Sequence, residues 1–87
     1  MKTIFLLLMQ FETANIPLSI VAKHILTMSP DEAKKRASAE RLPFPTFRGG
    51  SQKSERLVDI VELANYLDDV KEKAKKEWLT MQEARRE

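Results

Sequence analysis

Seven of the fifteen basic side chains crowd into residues 34–56: Lys34, Lys35, Arg36, Arg41, Arg48, Lys53 and Arg56, against only Glu40 and Glu55. A local surplus of five positive charges suits an anionic polymer, because each Lys or Arg set on a phosphate releases a condensed counterion. The net charge of +2 hides this segregation. Residues 57–87 carry six basic and eight acidic groups, so the C-terminal part is acidic on balance. Other chemistry is poorly supplied. The single histidine, His24, has no carboxylate near it in sequence, and it reads as a surface or packing residue. There is no cysteine, which removes disulfides and every Cys-containing zinc site. The run Gly49–Ser54 (GGSQKS) echoes a phosphate loop. That loop requires Gly directly before the Lys and another Gly five residues before that one, where this chain has Gln52 and Phe47. Asp68-Asp69 lacks the partner spacing of a metal site. The expectation is a protein that is not an enzyme and that holds no metal and no cofactor.

The elements that would carry the basic groups can be read from spacing and punctuation. Leu18, Val21, Ala22 and Ile25 recur at helical intervals, and Pro17 suits a first helical position, so residues 17–26 are expected to form a short amphipathic helix. Ser29-Pro30-Asp31-Glu32 is a helix start: Ser29 caps, Pro30 is pre-set for the first turn, and Glu32 completes a capping box. This second helix is expected to run from 29 to 41 and to stop before Pro43. Its apolar stripe is thin (Ala33, Ala37), which leaves most of its circumference outside. Two helices so closely spaced make a helix-turn-helix candidate. Pro43-Phe44-Pro45 enforces extended backbone. Residues 45–58 then read as a β-hairpin, or wing, reversing at Gly49-Gly50. Lys34, Lys35, Ser38 and Arg41 on the helix, and Arg48, Ser51, Gln52, Lys53, Ser54 and Arg56 on the wing, are the candidate DNA contacts, with helix 29–41 in a major groove. Arg36 falls nearer the inward side of its helix and reads as structural or phosphate-facing.

Two apolar segments lie outside this plan. Ile4–Phe11 is expected to be a strand packed near the wing; Ile4 and Phe5 favour that state, while Leu6, Leu7, Leu8 and Met9 favour helix. Its apolar run is too short for a secretory leader, and nothing approaches the ~20 apolar residues of a membrane span, so a cytoplasmic, nucleoid-associated protein is expected. After Asp59, which can cap, helical spacing continues through Ile60, Leu63, Ala64, Leu67, Val70 and Ala74 to the end of the chain. Such a helix is ~42 Å long and outruns an 87-residue globule of radius of gyration ~12 Å. The division expected is therefore a DNA-binding domain over residues 1–70 and a helical extension over 71–87, which is either a solvated tail or, through Leu67, Val70, Ala74 and Trp78, a homodimer contact. The fold class is mainly α with a small β-hairpin: a winged helix-turn-helix plus a long C-terminal helix.

The segments Thr3–Phe11 (TIFLLLMQF), Ile16-Pro17-Leu18, Ser29–Arg36 (SPDEAKKR), Leu42–Arg48 (LPFPTFR), Ser51–Ser54 (SQKS) and Leu57–Leu67 (LVDIVELANYL), in this order, resemble the pyocin activator (PrtN-like) family of small bacterial and prophage regulators. The resemblance implies a transcription activator of phage-like or bacteriocin genes that binds double-stranded DNA and works with RNA polymerase. The same architecture is similar, more distantly, to the excisionase and MerR-type winged-helix group, which implies as an alternative a protein that bends DNA. A second alternative is a phage-encoded regulator that binds another protein through the apolar N-terminus and the long helix.

Overall fold

The computed structural model describes residues 2–50 and 55–85. In chain order it contains α1 (Thr3–Phe11), β1 (Asn15–Pro17), α2 (Leu18–Val21, continuing as a π-helical turn over Ala22–Leu26), α3 (Pro30–Ser38), β2 (Phe47–Arg48), β3 (Arg56–Asp59) and α4 (Ile60–Arg85). The protein is mainly helical, with one small antiparallel sheet and a long C-terminal helix.

The N-terminal segment is a helix, not the expected strand. Ile4, Leu7 and Phe11 recur at helical spacing and turn inward, with Leu7 buried and the other two packed beside the core. The helix ends at Glu12 in the left-handed conformation (φ 58°), whose N–H donates to the carbonyl of Leu8 at 2.8 Å. A strand does pair with the wing, but it is the next segment. Asn15, Ile16 and Pro17 lie opposite Asp59, Val58 and Leu57. Pro17 closes that strand instead of opening the helix, so α2 begins at Leu18. Proline is tolerated here because β1 is an edge of the sheet order β1-β3-β2.

Ser29 caps α3 as expected, its Oγ accepting from the Glu32 N–H at 3.2 Å. The Glu32 carboxylate turns to Arg36 Nε at 3.0 Å, which makes Arg36 a partner within the helix. The helix is shorter than expected and stops at Ser38. Glu40 adopts φ 55°, and Arg41 N–H reaches back to Arg36 O (2.8 Å) while Glu40 N–H reaches Ala37 O (3.1 Å). That pair of bonds is a Schellman closure, with Glu in the place glycine usually takes. Arg41 therefore lies just past the helix.

The hairpin forms, with β2 and β3 antiparallel and Phe47 opposite Leu57. Gly49 and Gly50 do not supply a left-handed reversal, since no glycine has positive φ. Gly49 instead allows a close approach: a Cβ there would sit 3.2 Å from Leu57 Cδ1.

The core is one cluster. Ile16, Leu18, Val21, Val58 and Leu63 are fully buried, and Ala33 and Ala37 bring α3 close against α2. Phe44 meets Tyr66 edge to face at 5.5 Å, tying the Pro-Phe-Pro segment to α4. Asp59 caps α4 through Val61 N–H at 2.8 Å. Burial along α4 ends at Leu67; from Asp68 to Met81 every residue is exposed. The arm lengthens the molecule to 58 × 29 × 17 Å and raises its radius of gyration to 15.7 Å. Among the described residues, no helix is long and apolar enough to cross a membrane.

Candidate nucleic-acid interface

α3 buries Ala33 and Ala37 and turns the rest of its surface outward. Lys34, Lys35 and Ser38 are exposed, and Arg41 is exposed just beyond the helix. Asp31 shares the outward arc with Lys35 and Ser38, four and seven residues apart, an acidic member that charge counting alone does not single out.

Across a groove from the end of α3 stands the inner side of the hairpin. Side chains alternate along a strand, so Arg56 faces the same side of the sheet as buried Val58, and Arg48, directly opposite Arg56, joins it. Thr46 falls on this side too, and its Oγ1 accepts from Arg56 Nη1 at 3.2 Å. Arg56 is thus half-buried and anchored at one nitrogen, while its guanidinium carries five N–H donors in all. Ala37, Glu40, Phe44, Thr46 and Arg56 are among the residues lining this groove, whose volume is about 460 Å³. Two arginines directly opposite one another across a strand pair concentrate guanidinium donors on this side of the hairpin. The pairing follows from strand parity, which the sequence carries; the register needed to use it does not, because the hairpin loop is long.

Contacts outside the site hold the hairpin in place. Glu55 accepts from Ser19 Oγ and from the Ser19 N–H (3.3 Å), fastening the start of β3 to the first turn of α2. Ile60 N–H donates to Ala14 O at 2.9 Å, locking the exit of β3. Neither bond is legible in the sequence, where Glu55 stands only as one of two acidic residues among the basic groups of 34–56. Ser51, Gln52, Lys53 and Ser54 lie outside the described residues. His24 is exposed, with its ring edge on Phe11 at 6.4 Å.

The candidate dimer residues divide. Leu67 is half-buried against the core and so belongs to the domain. Val70, Ala74 and Trp78 are exposed along the arm.

The comparison with curated proteins and that with solved structures returned no match. The family model described as pyocin activator protein PrtN matches residues 3–74, from the start of α1, through both basic elements, to the first turns of the arm, and the chain belongs to that family.

Proposed function

We propose that this chain is a regulator of pyocin-type genes that acts without catalysis, as a winged helix-turn-helix DNA-binding activator. α3 would enter a major groove, and the hairpin would hold the adjoining phosphate backbone. The observation that carries this reading is the groove itself: the exposed basic arc of α3 ends at a groove whose far side is lined by Arg56 of the hairpin. Lys34 and Lys35 would supply phosphate contacts or reach base edges. Arg48 and Arg56 would grip phosphate, and Arg41 would sit at the junction. Activation then requires RNA polymerase near the bound site, and two copies of the chain would read two half-sites.

The test is a Lys34→Glu/Lys35→Glu chain, titrated against duplex fragments from its own genome at several salt concentrations. If each lysine meets one phosphate, log K against log salt flattens by about 0.9 per residue removed. A folded double variant that keeps the native affinity and slope would remove α3 from the interface. The alternative, an architectural protein of excisionase type, predicts a strong bend in the bound duplex with no gain in transcription.

A further inference from the structure

We infer that the uncharged outer face of α1 is the seat for the α4 arm of a second copy of this chain, so that two copies exchange arms. This stands apart from what the basic face binds. α1 has no charged residue, yet it is a surface helix. A helix that is apolar all round belongs in an interior. Only Leu7 is buried, while Phe5 (53% exposed), Leu6 and Met9 (70%) stand in solvent. The arm shows the same imbalance: Val70, Trp78 (59%) and Met81 extend the stripe that Leu63 and Leu67 begin, and all three are exposed.

The two surfaces fit in place and in length. α1 runs antiparallel to the root of α4, with Thr3 Oγ1 bonded to Asp68 at one end and Ala14 bonded to Ile60 at the other. It therefore flanks α4 over residues 60–68, and the arm emerges bare where α1 begins. A two-fold axis passing on the α1 side of α4, level with Val70, lays residues 70–81 of one arm over the outer face of α1 of the other copy, along the span 59–70 that α1 flanks. Pairing the arms by themselves would bring together two segments of like net charge, since residues 71–77 hold four lysines and two glutamates, and would leave α1 bare. At roughly 200 Å² for each large side chain, the exposed parts of these six residues amount to about 1,300 Å² across a two-fold pair. Stable interfaces bury about 1,200–2,000 Å² in total.

The experiment uses the full chain and its lack of cysteine. Sedimentation at micromolar concentration is expected to give a dimer. Phe5→Glu/Met9→Glu, at exposed positions, and Trp78→Ala are each expected to raise the dimer dissociation constant at least tenfold, with far-UV circular dichroism unchanged. A Met9→Cys chain mixed with an Ala74→Cys chain of different mass is expected to cross-link between unlike chains with a short bis-maleimide. A monomer at these concentrations overturns the inference. So does a dimer indifferent to the α1 substitutions, or cross-linking confined to pairs of Ala74→Cys chains, which would indicate arm-to-arm pairing. If an α1 variant loses helicity, the cross-linking pattern decides alone.

Discussion

Replacing Glu40 with glycine is expected to stabilise this protein, although it deletes a side chain. Glu40 holds φ 55° to close α3, with Arg41 N–H on Arg36 O and Glu40 N–H on Ala37 O. An L-residue in that conformation costs roughly 1–2 kcal/mol, because Cβ crowds the following carbonyl. Glycine removes that cost, but its unfolded chain is freer by roughly 0.5–1 kcal/mol. The difference favours Glu40→Gly by about 0.7 kcal/mol, which for a domain of this size lifts the melting midpoint by roughly 3–6 °C. Glu40→Gln separates backbone from charge. It keeps the Cβ and removes only a carboxylate at a helix C-terminus, where relief from the dipole is worth about 0.3 kcal/mol. Melting followed by circular dichroism, for both variants at one protein concentration, is the assay. An equal rise for Gln and Gly would mean that electrostatics, not the left-handed backbone, sets the penalty; a fall for Gly would refute the reasoning outright. DNA titration gives a second readout. The carboxylate lines the same groove as Arg56 and adjoins Arg41. At roughly 7 Å from a phosphate its repulsion is about 0.6 kcal/mol in water, so both variants should bind duplex two- to three-fold more tightly at low salt.

Thr27→Gly is expected to raise stability by about 1 kcal/mol in urea unfolding, because a β-branched residue at φ 52° is a steric outlier; a loss of stability would mean that the Thr27 side chain contributes more than its backbone costs. Leu63→Ala is expected to cost about 2–5 kcal/mol, since Leu63 is fully buried at the centre of the core. With total stability of roughly 4–13 kcal/mol for a chain this long, that variant should lose much of its unfolding midpoint, and a cost below about 1 kcal/mol would contradict the core described above.

How much of this was legible in the sequence depended on punctuation. Ser29-Pro30 and Asp59 marked helix starts that the structure keeps, and Pro43-Phe44-Pro45 marked the break between α3 and the hairpin. The end of α3 was misjudged because no glycine announces it; glutamate takes the left-handed position under the pull of the Schellman bonds. α1 was misjudged because an unbroken apolar run gives periodicity little to act on, although Ile4, Leu7 and Phe11 do keep helical spacing. Its state was decided by packing along α4, which lies far away in sequence. β1 was lost because Pro17 reads as the first residue of a helix, not as the last of a strand. Only the partner strand, forty residues downstream, makes Asn15–Pro17 a strand. The site was legible as a list of basic residues. The Arg48–Arg56 juxtaposition was not, because it needs the register.

Strain alone does not single out the candidate interface. Thr27 and Glu40 bracket α3 in left-handed conformations, but Glu12 does the same at the end of α1, far from the basic groups in sequence, so this chain simply closes helices without glycine. The arginine pair is different in kind. A helix terminus must be closed somehow, whereas nothing about a two-residue ladder demands like charges opposite one another, and most residues of that size at position 48 would pair more favourably with Arg56. Two guanidinium groups on one side of a short hairpin concentrate donors suited to an anionic partner. Arg56 also lines the groove at the end of α3, while Glu55 is turned to Ser19. The carboxylate one residue from Arg56 is spent on fastening α2 to the start of β3, so position 55 serves the packing of the hairpin and not the charge of its inner side.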